Sequence, residues 1–266
     1  MRPLDALDRE TALGLVGVVF DLDDTVLDRG ALGIAAYGAL FDLRAAGQKL
    51  VACTGRPSGW GEVIARQWPV DAVVVENGAF AWLRSLEGDA VRVASTDALT
   101  PSARGLRRSA LAAIARQLMA AHPEAALADD NDARASDVTI DVGEFRRVGP
   151  KVIEAMRAGA RARGARTHVS SVHLHLTFEA DDKASGAVRL LEHAFGEDAT
   201  AARARWAFVG DSGNDAQAFA AFRTTFGVAN VRRHLASLSV PPRFVAPSEM
   251  GAGFAEIGRA IARARG

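Results

Sequence analysis

Cysteine and lysine are scarce in this 266-residue sequence, which has one cysteine, Cys53, and three lysines. A single cysteine cannot form an internal disulfide, which excludes a small disulfide-stapled fold and favours a reducing compartment. The 32 basic residues are matched by 32 acidic residues, so the formal net charge is zero. Without a basic excess, we expect neither nucleic acid nor an anionic membrane surface as a partner.

Long apolar segments are also missing. The longest stretches without a charged residue, 30–41 and 167–178, have 12 residues each, whereas a helix needs about 20 apolar residues to cross a bilayer. The first ten residues include Asp5 and Asp8 and contain no apolar signal core. We therefore expect a soluble, cytoplasmic protein.

Hydrophobic residues nevertheless make up 49% of the chain, which is enough to build a full core. In the first third, apolar runs at residues 16–20, 50–53 and 72–75 are typical of strands buried on both faces. The segments between them, 32–46 and 58–68, have helical spacing. This β-α-β-α-β order predicts a parallel sheet with right-handed crossovers.

The pattern changes after the third predicted strand. Residues 80–94 have the signature of a hairpin. Residues 137–142 and 169–179 alternate polar and apolar side chains, which predicts strands with one polar and one apolar face. Helices predicted at 101–121 and 150–163 are expected to cover the apolar face of this second sheet.

The pattern of buried strands returns with a predicted helix at 184–195 and a strand at 206–209. The simplest account is an α/β fold with a Rossmann-like parallel-sheet core. Residues 1–79 and 181–266 would form this core, and residues 80–180 would be an inserted α+β cap.

Two pairs of carboxylates follow predicted buried strands. Asp21 and Asp23 come directly after the first strand, in the sequence Asp-Leu-Asp-Asp-Thr, and Asp211 and Asp215 follow residues 206–209. For either pair alone, a polar turn is as good an explanation as a functional site. In open α/β sheets, however, ligands bind outside the carboxyl ends of the strands. Two such pairs favour a hard cation with oxygen ligands, and Mg²⁺ is the usual cation beside phosphates.

Two further features suit phosphate binding. Thr54, Gly55 and Arg56 end the second predicted strand, and a hydroxyl with backbone N–H groups at such a turn can hold an anion. Lys183 begins the helix that returns to the core. It is either an ordinary surface lysine or the positive charge that offsets the carboxylates and holds a phosphate.

With these four motifs in this order, the sequence resembles the haloacid dehalogenase superfamily over nearly its whole length. The insertion, preceded by Glu-Asn-Gly-Ala at residues 76–79, resembles the cap of the type II-B, Cof-like branch. That branch includes sugar-phosphate, sucrose-phosphate, trehalose-phosphate and mannosyl-phosphoglycerate phosphatases. Asp24 stands where much of the branch has glycine, and Ala184 follows Lys183 where glycine is common.

The resemblance implies a phosphoric monoester hydrolase that uses Mg²⁺ and an aspartyl-phosphate intermediate to hydrolyse a small phosphorylated metabolite, a sugar or sugar-like phosphate. Asp21 would be the nucleophile, and Asp23 would protonate the leaving oxygen and then activate water. Thr54 and Lys183 would bind the transferred phosphoryl group. Mg²⁺ would be held by Asp21, the backbone carbonyl of Asp23, Asp211 and, through water, Asp215.

The remaining candidate residues are expected to bind substrate. Around the core motifs they are Thr54, Gly55, Arg56, Asn77 and Asn214. In the cap, the period-two pattern puts Ser171, His173, His175 and Thr177 on one face. We expect this polar face to turn towards the Asp21 crevice, with His173 and His175 helping to select the substrate; the alternative is a face that is simply solvated.

Two other functions are compatible with the same motifs. A sugar-phosphate mutase would return an isomer of its substrate, whereas a phosphatase would release free phosphate. A non-catalytic sensor of phosphorylated ligands could keep the fold, although every motif residue needed for catalysis is present. The sequence does not define the oligomeric state.

Overall fold

The structure, a computed structural model, describes residues 1–170 and 172–265. Within these residues, no helix is long and apolar enough to cross a membrane. The strands are β1 Arg2–Pro3, β2 Gly17–Phe20, β3 Leu27–Asp28, β4 Ala31–Leu32, β5 Lys49–Cys53, β6 Ala72–Val75, β7 Phe80–Glu87, β8 Ala90–Ser95, β9 Ala126–Leu127, β10 Asp137–Asp141, β11 Arg166–Val169, β12 His173–Thr177, β13 Trp206–Gly210, β14 Thr224–Gly227 and β15 Phe244–Val245. The helices are α1 Arg9–Leu13, α2 Ile34–Ala45, α3 Ser58–Gln67, α4 Pro101–Ala121, α5 Pro150–Arg161, α6 Lys183–Phe195, α7 Ala199–Arg205, α8 Ala216–Ala221 and α9 Met250–Arg265.

The chain divides into two compact units. The first unit comprises Met1–Gly55, Gly61–Thr96 and the chain from Asp181 onward. The second unit comprises Asp97–Ala180 together with the short segment Arg56–Trp60.

The sheet of the first unit has the order β1-β15-β14-β13-β2-β5-β6-β7-β8 among the described residues. All neighbours from β1 to β6 are parallel. The chain runs outward from β2 through β5 and β6 and later returns on the other side of β2 with β13. This places a topological switch point between β2 and β13, where ligands bind in open α/β sheets. The predicted α/β class with a parallel core sheet is confirmed.

Both faces of the inner strands β2, β6 and β13 are buried, which explains their continuous apolar runs. Successive side chains of β2 point to opposite faces. Val19 lies in a buried cluster with Leu191 of α6 and Phe219 of α8. On the other face, the ring of Phe20 lies 5.3 Å from the ring of Phe254 in α9. Helix α9 packs in turn on α2.

The β7–β8 hairpin belongs to the first unit, whereas the sequence pattern assigned all of residues 80–180 to the cap. Strand β7 pairs antiparallel with β6, with Val75 opposite Phe80, and β8 pairs with β7. The buried start of β7 therefore covers the backbone edge that β6 would otherwise leave unpaired. The main segment of the second unit runs from Asp97 to Ala180, and the assignment of residues 80–180 to an inserted cap stays a prediction.

The second unit contains a four-stranded antiparallel sheet in the order β11-β12-β10-β9. Ile140 of β10 and Leu174 of β12 lie in one buried cluster with Leu111 of α4 and Met156 of α5. The predicted covering of the apolar sheet face by these two helices is confirmed.

Every residue of β10 and β12 is buried, so the polar face of these strands is buried as well. The alternating pattern does not predict this. The turn Asp129–Ala133 covers this face. Asn131 Nδ2 donates to the backbone oxygen of Thr139 at 2.8 Å, and Thr139 Oγ1 donates to Asp130 Oδ1 at 3.1 Å. Ser171, expected on this face, lies outside the described residues.

Gly186 and Gly38 both lie within helices, but their surroundings differ. A Cβ at Gly186 would collide with the backbone of Gly78, whereas a Cβ built at Gly38 would meet no described atom within 4 Å apart from its chain neighbours and the nearby backbone of its own helix. We expect Gly186→Ala to lower the free energy of unfolding by about 1–3 kcal/mol through overpacking. Gly38→Ala should raise it by up to about 1 kcal/mol, because alanine has the higher helix propensity. Urea unfolding of both variants measures the difference, and equal stabilities would contradict this account.

Candidate active site

Asp21 and Asp211 lie at the carboxyl ends of the neighbouring strands β2 and β13. The backbone N–H of Asp21 donates to the backbone oxygen of Val209 at 2.9 Å, which extends the strand pairing by one residue. Each of the two residues is only 5% exposed. Two motifs 190 residues apart in the chain (211 − 21) are thus brought together at the switch point of the sheet.

Lys183 is the buried positive charge of this site. Its Nζ lies 2.8 Å from Asp21 Oδ1 and 2.8 Å from Asp215 Oδ1. Lys183 is the first residue of α6, and a capping box between Asp182 and Ser185 fixes that end of the helix. Burial acts to lower the pKa of Lys183, but the carboxylates of Asp21 and Asp215 raise it above its ordinary value, so the side chain stays charged.

Asp215 is held by the backbone of the loop that contains Asp211. Its Oδ2 accepts the N–H of Asp211 at 2.9 Å and that of Ser212 at 3.3 Å. Glycine is required at position 210, since a Cβ there would collide with the Asp215 carboxyl group. The carboxylate of Asp215 therefore joins the loop after β13 to Lys183 of α6.

The site has more negative charge than Lys183 compensates. Burial raises the pKa of Asp21 to about 7; Lys183 opposes this rise and Asp215 adds to it. Burial also raises the pKa of Asp211 to about 8, with Asp215 and Asp21 adding to the rise. Asp21, Asp211 and Asp215 each place one carboxylate oxygen within 4.8 Å of the others. This donor set, hard oxygen ligands with excess negative charge, fits a divalent cation such as Mg²⁺.

Asn77 connects the loops after β5 and β13. Its backbone N–H donates to the backbone oxygen of Thr54 at 3.0 Å, and its Oδ1 accepts Asn214 Nδ2 at 3.2 Å. A Cβ on Gly55 would lie 2.9 Å from Asn77 Oδ1, so glycine is needed for this close approach. Glu76 and Asn77 both have positive φ values, 49° and 57°, and such strain is found mainly at functional sites. The substrate-binding roles of Thr54, Gly55, Asn77 and Asn214 stay predictions.

Asp23 and Arg56 are not part of the buried group formed by Asp21, Lys183, Asp211 and Asp215. The side chain of Asp23 is exposed, so the structure does not bring it into the buried carboxylate cluster. The guanidinium of Arg56, in the second unit, lies over the ring of Trp60 at 4.3 Å from its centroid. The acid–base role of Asp23 and the substrate-binding role of Arg56 also stay predictions.

The two histidines of β12 each contact an acidic side chain within the second unit. His175 Nδ1 lies 2.9 Å from Asp137 Oδ2, and Arg134 Nη1 donates to both oxygens of Asp137 at 3.0 Å. His173 Nε2 lies 3.0 Å from Glu144 Oε2. These contacts give both histidines structural partners, and their role in substrate selection stays a prediction.

Two side chains that bind the Asp211 carboxylate were not assigned a role from the sequence. Thr25 Oγ1 donates to Asp211 Oδ1 at 3.3 Å, and Asn230 Nδ2 donates to Asp211 Oδ2 at 2.9 Å. Asn230 follows β14, the parallel neighbour of β13. A polar residue after the next strand of the sheet is the signal that could have identified it.

His175 makes the stability of the protein depend on pH. Burial lowers the pKa of His175 well below its ordinary value, and the positive charge of Arg134 adds to this effect. In the unfolded chain, the imidazole binds a proton below about pH 6.5. The unfolded state then holds more protons than the folded state, so the free energy of unfolding falls as the pH falls below about 6.5.

We therefore expect His175→Gln to lose less stability than the parent protein between about pH 7.5 and about pH 5.5. Urea unfolding at both pH values gives the two differences. The matched control is His193→Gln, the same replacement at an exposed residue of α6. Identical pH dependences for the parent and His175→Gln would show that His175 is not held neutral.

Comparison with known proteins gives matches to solved structures. The chain matches the sucrose-phosphatase of Synechocystis with 15% identity and a TM-score of 0.62, covering 91% of this chain and 95% of that one. A haloacid dehalogenase-like hydrolase from Bacteroides thetaiotaomicron matches with 13% identity and a TM-score of 0.63, covering 92% and 98%. A sugar phosphatase of subclass IIB of the same superfamily matches with 15% identity and a TM-score of 0.59, covering 86% and 92%.

No protein-family model and no curated protein sequence matches the chain. The likeness to the solved structures is one of fold, and it extends over nearly the full length of both chains in each case. The protein thus has the fold of the haloacid dehalogenase superfamily, as its four motifs predict.

Proposed function

We propose that this protein is a Mg²⁺-dependent phosphoric monoester hydrolase whose substrate is a small phosphorylated metabolite, a sugar or sugar-like phosphate. The observation that carries the proposal is the buried group of Asp21, Lys183, Asp211 and Asp215 at the switch point of the sheet. The sucrose-phosphatase and the sugar phosphatase among the similar structures support this reaction class.

Asp21, Asp211 and the backbone oxygen of Asp23 would hold the cation, with Asp215 acting through water. When bound, Mg²⁺ would neutralise charge on the transferred phosphoryl group. Phosphoryl transfer depends mainly on in-line positioning and charge neutralisation, so a rigid charged site at the end of a sheet suits it.

In the first step, a carboxylate oxygen of Asp21 attacks phosphorus and the bond from phosphorus to the leaving oxygen breaks. Asp23 donates a proton to that oxygen, and an alcohol leaves. Lys183 restricts rotation of the Asp21 carboxylate through its contact with Oδ1. Thr54, at the end of β5, would contact the phosphoryl oxygens. The product of this step is an aspartyl-phosphate at Asp21.

In the second step, Asp23, now ionised, takes a proton from water. The water oxygen attacks phosphorus, the bond between phosphorus and the Asp21 oxygen breaks, and inorganic phosphate leaves. Asp21 is restored as a carboxylate and Asp23 as an acid. The exposed position of Asp23 suits this role, because its side chain must meet both the leaving group and water.

Replacing Asp21 tests the nucleophile. Asp21→Asn keeps the shape of the side chain but removes its nucleophilic charge, so hydrolysis should fall by about 10³-fold or more. Release of free phosphate from a panel of phosphorylated sugars, polyols and glycerates is the assay, and it also separates hydrolysis from isomerisation. Asp42→Asn, which changes an exposed aspartate of α2, is the matched control. Near-normal turnover by folded Asp21→Asn would rule out this nucleophile.

Removing the cation tests the metal assignment. We expect EDTA to abolish activity and Mg²⁺ to restore it, with Ca²⁺ a poor substitute because of its larger and looser coordination. Mg²⁺ should also stabilise the folded protein, by about 2.7 kcal/mol at a concentration one hundred times its Kd. Asp211→Asn should lose most of this stabilisation in thermal melts. Full activity after rigorous chelation, or a melting temperature that does not respond to Mg²⁺, would contradict the assignment.

A further inference from the structure

The side-chain amide of Asn230 makes hydrogen bonds through both its nitrogen and its oxygen. The three partners are Asp24, Asp211 and Met250, all in the first unit. Asn230 is 3% exposed and lies in the turn Ala229–Ser237 after β14. Its Nδ2 donates to Asp211 Oδ2 at 2.9 Å and to the backbone oxygen of Asp24 at 3.0 Å. Its Oδ1 accepts the backbone N–H of Met250 at 3.1 Å. Both amide hydrogens and the amide oxygen are therefore in use.

These partners fix the orientation of the Asn230 amide. Two acceptors lie on its nitrogen side and one donor lies on its oxygen side. Turning the amide by half a rotation would place its oxygen against two other oxygens and its NH₂ group against an N–H. The donor that reaches Asp211 consequently has one stable position.

The oxygen side of the amide is anchored at the start of α9. Met250 has a φ of 49°, a left-handed conformation that is unusual for a residue other than glycine. The N–H of the next residue, Gly251, donates to Asp28 Oδ1 at 2.9 Å. Further along α9, Phe254 packs against Phe20 of β2. Asn230 is thus held by a helix that is itself packed on the central strand of the sheet.

We propose that Asn230 is a positioning residue that fixes the Asp211 carboxylate for the divalent cation, an inference that rests on the proposed function. A neutral amide can restrain this carboxylate without adding a positive charge that would repel the cation. Lys183, in contrast, contacts the other two carboxylates, those of Asp21 and Asp215. The ammonium group of Lys183 therefore lies beside two of the carboxylates, and the neutral amide of Asn230 lies beside the third.

Removing the amide should loosen the Asp211 carboxylate, because the remaining side-chain donor, Thr25 Oγ1, is a longer 3.3 Å contact to the other oxygen. Loss of a hydrogen-bond partner of a metal ligand typically weakens metal binding by about 10–100-fold. We expect the Kd for Mg²⁺ to rise by about 10–100-fold in Asn230→Ala. In Asn230→Ser it should rise by about 10-fold or more, because the serine side chain is too short for its hydroxyl to reach Asp211.

The experiment is calorimetric titration of Mg²⁺ into the full-length parent and variants, each first shown to be folded by circular dichroism. Asn131→Ala is the matched control. Asn131 Nδ2 donates to two backbone oxygens, those of Ala128 and Thr139, both at 2.8 Å, and its Oδ1 accepts the N–H of Thr139 at 3.0 Å. Like Asn230, it uses both amide hydrogens and the amide oxygen, but its partners are backbone groups of the second unit, so its variant should keep the parent's Kd.

Weaker binding by the Asn230 variants and unchanged binding by Asn131→Ala would support the inference. A parent-like Kd in either folded Asn230 variant would overturn it, and so would equal weakening in Asn131→Ala. A parent protein that binds no Mg²⁺ would overturn the metal assignment of the proposed function as well, which distinguishes the two failures.

Discussion

The buried ammonium group of Lys183 between Asp21 and Asp215 holds the site together. Carboxylates that leave water lose their hydration, and this cost is tolerated only where charges are paired or further hydrogen bonds are made. Lys183 satisfies two of the three carboxylates directly. The third, Asp211, relies on neutral donors, and burial, with the charges of Asp215 and Asp21 adding to it, raises its pKa to about 8. With all three carboxylates ionised, the cluster has a formal charge of −3 + 1 = −2, which one divalent cation would neutralise.

The position of Lys183 depends on how α6 packs against the rest of the first unit. Helix α6 can approach the turn Glu76–Gly78 only because Gly186 and Gly78 both lack a side chain at the contact. The same turn carries Asn77, whose hydrogen bonds reach the loops after β5 and β13. A close helix contact and a strained turn thus set the position of the lysine and of the polar loops around it. We infer that the cost of this strain is tolerated because it orders several loops at one edge of the sheet.

The core of the fold and the charged cluster could be predicted from the sequence because each depends on local signals. Runs such as residues 72–75 are apolar throughout, since both faces of their strands are covered, and carboxylates at strand ends meet wherever parallel neighbours pair. The pairing of the β7–β8 hairpin with β6 could not be predicted, because the strand edge that a hairpin covers is not visible in the hairpin's own residues. The buried polar face of β12 was missed for a similar reason: alternation shows which residues share a face, but not that the turn Asp129–Ala133 covers it.

Chemical trapping of the aspartyl-phosphate tests most directly whether Asp21 carries the phosphoryl group during turnover, as proposed. Protein that is turning over an aryl phosphate with Mg²⁺ is quenched and treated with borohydride, which reduces an aspartyl-phosphate to homoserine. Peptide mass spectrometry should then find homoserine at position 21, and only in samples that contain substrate and cation. Measurable phosphate release in the same samples with an unmodified Asp21, or with the modification at another carboxylate, would contradict the account.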